Sequence, residues 1–197
     1  MVGGVGKILN VGILLFNDVE LLDFAGPFEV FTVASEMHGY QYFKVFTLSR
    51  DGGTIKTVNG LRVQTDYSLD SHPAIDVLVI PGGVGTRKLI HDDAILAWIQ
   101  ETHHAARITC SVCSGALLLG KLGILDNLTS TTHHQVLDLL KELAPLTTID
   151  ASKRFIDNGK VMTSAGISAG IDLALHIVNK LYGSDAEHKT IEHMEYK

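Results

Sequence analysis

The chain predicts a single α/β domain, a doubly wound, mostly parallel sheet with helices on both faces and a nucleophile elbow. Three observations predict it. Short apolar runs alternate with segments of helical period, as in βαβ units. Those runs are β-branched and leucine-rich with little alternation, as strands buried on both faces of a parallel sheet require. In Arg107-Ile108-Thr109-Cys110-Ser111-Val112 such a run stops at Cys113, with Ser114, Gly115 and then helix-forming leucines after it. That is the layout of the sharp strand-to-helix turn that lifts a reactive side chain above a sheet.

The elements follow in order. Ile8 to Phe16 reads as the first strand, and Glu20 to Met37 as a helix that Gly26-Pro27 interrupts near its start. Phe43 to Leu48 is a second strand. Thr54 to Val63 is a hairpin around Asn59-Gly60, a dipeptide that supplies the positive φ angles of a tight turn. Asp76 to Ile80 is a short apolar strand closed by Pro81-Gly82-Gly83, and a helix around Leu89 to His104 follows. After the elbow strand comes a helix to about Leu122, then a short strand at Thr129 to Thr132 and a helix over Gln135 to Leu143. Phe155 to Met162 is a second hairpin, around Asn158-Gly159, and Ile167 to Leu181 is expected to be the last helix. No repeat or linker divides residues 1–197, a length that suits one domain.

Composition narrows the function classes. With 46% hydrophobic and 19% charged residues the chain reads as a soluble globular protein. A formal net charge of −6 weighs against general affinity for nucleic acid or an anionic membrane surface. No apolar run approaches the roughly 20 residues that span a bilayer. Met1 to Lys7 carries one positive charge and makes a poor signal peptide. Two cysteines make no disulfide framework, so a reducing, cytoplasmic setting is the expectation.

In parallel sheets of this kind chemistry collects beyond the carboxyl ends of the strands. Phe16 onward, Pro81-Gly82-Gly83 and Cys113 should therefore converge. At the elbow, Ser111 and Gly115 are small enough not to obstruct the turn. Cys113 would begin a helix, where free N–H groups and the helix dipole favour a thiolate; the alternative is inert packing, common for cysteine. Developing negative charge would meet the Ser114 N–H and a second N–H from Gly83 or Val84, unless Pro81-Gly82-Gly83 is a plain turn. Asp23, a carboxylate among Leu21, Leu22 and Phe24, is the candidate acid, its pKa raised by partial burial. Its alternative is a capping role ahead of Pro27.

The ten histidines form no metal-binding set. His103-His104 falls at a helix end. His133-His134 stands near a strand end, where neighbours in a strand would point to opposite faces. Cys110-Ser111-Val112-Cys113 matches the Cys-x-x-Cys redox spacing, but Cys110 would lie inside the strand and belong to the core. Gly3 to Lys7 is a poor phosphate loop, because it precedes a strand and Ile8 stands where Ser or Thr is required.

Together these residues resemble the ThiJ/PfpI superfamily, with its flavodoxin-like, class I glutamine amidotransferase-like fold. The likeness covers nearly the whole chain. It rests on Gly12 to Phe16, Leu22 to Pro27, Ile80 to Gly83, Ser111 to Gly115, Thr131-Thr132-His133 and Ala165 to Asp172. Within the superfamily the chain is most similar to isocyanide hydratases and to the ligand domain of AraC-type regulators. The resemblance implies that Cys113 is the nucleophile and Asp23 its acidic partner. Gly83, Val84, Ser114, Gly166 and Ile167 would line an oxyanion site or pocket, with His133 a further candidate. Ser114 stands where the hydratases commonly carry Thr. The superfamily's proteases carry His directly after the cysteine, and its absence here weighs against protease chemistry.

The resemblance further implies a homodimer, a small-molecule substrate, and no metal or organic cofactor. The reaction implied is hydration of an isocyanide to an N-substituted formamide through a thioimidate on Cys113. The competing readings are a ligand or redox sensor and a glyoxalase-like activity on reactive carbonyls. No basic run follows the Ile167 to Leu181 segment, so a free-standing DNA-binding regulator is not expected.

Overall fold

The computed structural model describes residues 7–197. The leader and phosphate-loop readings of the first residues fall on 1–6, outside the described residues. In chain order the elements are β1 (Leu9–Leu14), α1 (Leu21–Glu36), β2 (Phe43–Ser49), β3 (Thr54–Lys56), β4 (Arg62–Gln64), β5 (Tyr67–Ser68), β6 (Val77–Ile80), α2 (Thr86–Leu89), α3 (Asp93–Ala105) and β7 (Ile108–Val112). There follow α4 (Ala116–Lys121), β8 (Thr129–Ser130), α5 (Leu137–Leu143), β9 (Thr148–Ile149), β10 (Phe155–Asp157), β11 (Val161–Ser164), α6 (Ala169–Tyr182) and α7 (Ser184–His193).

Seven strands form one sheet in the order β10-β11-β7-β6-β1-β2-β5. All pairings are parallel except β10 with β11, which is the second Asn-Gly hairpin. From β1 the chain moves outward to β2, and from β6 it moves the other way to β7. Right-handed crossovers therefore put α1 and α3 on opposite faces. The helices α1, α6 and α7 pack together, and α4 packs on α2 and α5. Strands between two helical layers have no wet face, and Ile13, Leu14, Leu78, Ile80 and Ile108 are all fully buried. The strand order reverses between β1 and β6, the place where such sheets open a crevice.

Several expectations need correction. The helix α1 is not interrupted at Gly26-Pro27. Proline's φ suits a helix and removes one N–H, while Gly26 lets α1 close on α6: a Cβ there would meet Ile171 Cγ1 at 2.9 Å. The helix expected from Leu89 starts at Asp93, because the Asp92 carboxylate accepts the Ile95 N–H at 3.2 Å and caps it there. Ile167 lies outside α6, with φ of 52°. The helix α6 ends at Gly183 and is not the last, since α7 follows. The two-residue strands β5 and β9 were not anticipated. Among the described residues no helix is long and apolar enough to cross a membrane.

Candidate active site

Four strand ends meet at the crevice. β1 leads through Asn17 to Glu20 into the first turn of α1, which carries Asp23. β6 runs into Pro81-Gly82-Gly83, β7 into Cys113, and β11 into Ala165-Gly166-Ile167. Cys113 has φ of 56°, a left-handed conformation that a non-glycine residue holds only when its surroundings enforce it. Three contacts enforce it here. The Cys113 N–H donates to Ala165 O at 3.2 Å, and Thr132 Oγ1 donates to Cys113 O at 2.6 Å. Gly115 lies so close against the Ile80 carbonyl that a Cβ would overlap it. The turn leads through a 3-10 turn, Cys113 to Gly115, into α4.

Asp23 is completely buried. Its Oδ2 accepts the Gly82 N–H at 3.0 Å, and Oδ1 is buried without a hydrogen-bond partner. Cys113 is close enough for each group to change the other's proton affinity, although no well-aligned hydrogen bond joins them. Gly82 permits the approach. A Cβ on it would stand 2.5 Å from Ser114 N and 2.8 Å from Asp23 Oδ2.

Burial raises the Asp23 pKa to about 7, with the charge of Glu20 adding to it; the hydrogen bond from Gly82 and the contact with Cys113 pull the other way. Burial also pushes the Cys113 thiol up, to about 12, and the ionised Asp23 contributes. The Ser114 and Ile167 N–H groups oppose this, but do not prevail. The expectation that helix N–H groups make Cys113 a ready thiolate is thus reversed: desolvation outweighs them. Two acids in one dry space cannot both ionise, so they titrate as a pair. When Asp23 holds the proton its repulsion vanishes and its O–H can donate toward sulfur.

The N–H groups also differ from expectation. The Gly83 N–H donates to Ser114 Oγ at 3.0 Å, and that hydroxyl donates back to Gly83 O at 3.1 Å. Thr86 joins them, donating to Gly83 O at 2.8 Å. Gly83 therefore holds Ser114 in place and presents no free donor. The Val84 N–H makes no hydrogen bond with the described residues, and it borders the same cavity as the Ser114 peptide.

That cavity, of about 310 Å³, opens on Cys113 and Ser114. Val58, Val84, Val136 and Ile167 form apolar wall, while Glu20, Arg87, His133 and His134 bring polarity. Cys113 itself is 7% exposed, a narrow but real access. Gly166 fits under His133, whose ring a Cβ would strike. His133 and His134 lie beyond β8 in a turn, their rings 4.2 Å apart, rather than on opposite faces of a strand. Among the described residues no three His, Cys, Asp or Glu side chains group as metal ligands. Cys110 is buried inside β7, its thiol pushed up to about 12 by burial, and both cysteines are free.

Thr132, Thr86, Glu20 and Arg87 were missed as site residues. For Glu20 a local signal existed, since it stands three residues before Asp23, where N-cap and N3 side chains face each other. For Thr86 the partner that ties it to the site, Ser114 Oγ, is 28 residues away and left no local signal.

The DJ-1/PfpI family model matches residues 9–180. The chain belongs to the DJ-1/PfpI family. It is 32% identical over 188 residues to an isonitrile hydratase of Pseudomonas putida, across 95% of this chain and 78% of that one. It is also 27% identical over 176 residues to the HTH-type transcriptional regulator GbdR of Pseudomonas aeruginosa, covering 89% of this chain but 47% of the regulator. The chain thus spans about half the length of that relative. A ThiJ/PfpI family protein from Pseudomonas syringae superposes with a TM-score of 0.87 at 24% identity, over 97% of this chain and 76% of that one. An AraC family regulator from Pseudomonas putida gives 0.81 at 23% identity, over 94% and 99%. These two likenesses establish the fold alone, and a shared fold does not fix a function.

Proposed function

We propose that this DJ-1/PfpI protein is a cysteine-dependent hydratase that converts isocyanides to N-substituted formamides. The reading is carried by one observation: a wholly buried carboxyl, Asp23, placed beside the thiol of a strained elbow residue, Cys113. Identity with an isonitrile hydratase supports the choice of substrate. Asp23 takes the Cys113 proton as sulfur attacks the terminal carbon of R–N≡C. The S–C bond forms and Asp23 delivers the proton to that carbon, giving the thioimidate Cys113–S–CH=N–R. Water then adds to the same carbon; Asp23, now ionised, takes a proton from it and passes it to nitrogen. The S–C bond breaks as C=O forms, and the last hydroxyl proton returns to sulfur. The sum is R–N≡C plus water to HCO–NH–R. The Ser114 and Val84 N–H groups are the donors for charge that develops at the cavity floor. The reaction requires no metal or organic cofactor, and it fits a homodimer in a reducing, cytoplasmic setting.

The identity with GbdR favours a second reading, a ligand-sensing domain; a third is the glyoxalase-like one. Wild type and Cys113→Ala are to be assayed with isocyanides and methylglyoxal, with melting curves as a fold check. The hydratase reading expects isocyanide turnover in wild type alone. Turnover retained in Cys113→Ala, or seen only with methylglyoxal, overturns it, and binding of small molecules without turnover favours the sensor.

A further inference from the structure

The cavity above Cys113 has an uneven charge distribution that the hydration chemistry does not use. Among the described residues, Arg87 is the one permanent cation that lines it. Lys88, the next residue, turns outward to Asp18 at 3.3 Å. Arg87 instead turns back over the site: its Nη1 donates to Gly83 O at 3.3 Å and approaches Thr86 Oγ1 at 3.5 Å. No carboxylate among the described residues lies within ion-pair distance of it, and Nε and Nη2 are left to face other partners. The anchor matters because the Gly83 peptide is itself tied to Ser114, the neighbour of the nucleophile. The exposed Arg87 side chain is thus tied to the loop that also holds Ser114.

The other polar groups of the wall define which way a ligand must lie. Glu20 lines the same cavity, near enough that its charge acts on both Asp23 and His133. An anionic group would be repelled by Glu20 and drawn to Arg87. His133 does not compete as a cation, since burial, His134 and Arg87 lower its proton affinity and outweigh the opposing charge of Glu20, and its Nδ1 accepts the Gln135 N–H at 3.3 Å. His134 is exposed at the rim. Val58, Val84, Val136 and Ile167 supply the apolar part of the same wall. A ligand that matches this wall has a small reacting head, a short apolar middle and a negatively charged tail.

We propose that Arg87 is a specificity residue, and that the preferred substrates are small isocyanides whose N-substituent carries a carboxylate. The inference rests on the hydratase reading for the reacting head, but the tail site stands on its own geometry. A planar guanidinium with two free donors meets a carboxylate side-on, which a lysine ammonium cannot reproduce. Because Arg87 is exposed, an ion pair of this kind corresponds to a preference of roughly two- to fivefold.

The test compares isocyanoacetate with its methyl ester, which have the same skeleton and differ in charge. Wild type is expected to favour the acid by about that factor in kcat/KM, chiefly through KM, and in Arg87→Ala the ratio should fall to about one. Arg87→Lys should keep only part of it. A parallel titration calorimetry experiment uses N-formylglycine and its methyl ester, so it reads the tail site without turnover. Selective binding of the anion, lost in Arg87→Ala, supports the proposal even if neither isocyanide is hydrated. Equal handling of acid and ester by wild type, or a preference that survives in Arg87→Ala, overturns it and leaves the hydratase reading untouched.

Discussion

Asp23 lies fully buried beside Cys113, and only one of its two carboxyl oxygens has a hydrogen-bond partner. A buried carboxylate with an unpartnered oxygen is poorly solvated. Protonation relieves it, which is the physical cause of a pKa near 7 in place of the usual 3.8. The same dryness holds the thiol up, so the pair loses its first proton near neutrality and its second only near pH 12. One proton is then shared, and the arrangement with hydrogen on Asp23 and charge on sulfur is the one that the proposed hydration would use.

The activity should therefore rise as pH passes through about 7 and then hold level into the alkaline range. A profile of kcat/KM against pH measures this directly. Asp23→Asn removes the titrating partner and should lower turnover by roughly 10²- to 10⁴-fold while abolishing the step near 7. A wild-type profile that falls through neutrality would contradict the shared-proton state.

Stability should run the opposite way. The folded-state pKa of Asp23 is above its unfolded value, so the native state holds this proton more tightly. Its contribution is intact below about pH 4 and is lost as pH rises toward 7. The loss is on the order of 4 kcal/mol as an upper bound. Asp23→Asn keeps an acceptor for the Gly82 N–H without the charge. The variant should melt higher than wild type at pH 8, with the gap closing toward pH 4. Calorimetry at the two pH values decides it.

How much of this was readable beforehand depends on the range of the interactions. The strands β1, β2, β6 and β7 were legible because continuous β-branched runs have one good home, a sheet covered on both faces. Both hairpins were legible from Asn59-Gly60 and Asn158-Gly159, and the glycines have φ of 91° and 88°. Cys113 stood out for the small residues around it. The continuity of α1 through Pro27 was not legible, because packing against Ile171 decides it from across the fold. Nor was the Cys113 proton affinity: the helix start is local in sequence, whereas the desolvation that outweighs it comes from the folded surroundings. The role of the Gly83 N–H depended on where Ser114 Oγ would point, 31 residues away.

The strained elbow should depend on Thr132. Its hydroxyl holds the Cys113 carbonyl at 2.6 Å while that residue occupies a left-handed conformation. Thr132→Val keeps the shape and removes the hydroxyl donor from a carbonyl in a buried place. A destabilisation of about 1–3 kcal/mol is expected by chemical denaturation. Turnover should fall with it, since the carbonyl that loses its tether belongs to the proposed nucleophile. Normal stability and turnover in this variant would show that Ala165 and Gly115 suffice to fix the turn.

The two cysteines should separate cleanly. Cys110 lies in β7 with 2% exposure, its register partners being Val79 and Met162, and it lines no part of the cavity at Cys113. Cys110→Ala removes one sulfur from the core and should cost about 1 kcal/mol of stability, a small-cavity effect. Isocyanide turnover should stay within about twofold of wild type, since each kcal/mol of fold stability leaves an already folded site unchanged. Cys113→Ala should show the reverse, with activity gone and the melting curve largely kept. If both single variants lost turnover alike, sulfur–sulfur redox chemistry would have to be reconsidered in place of a single nucleophile.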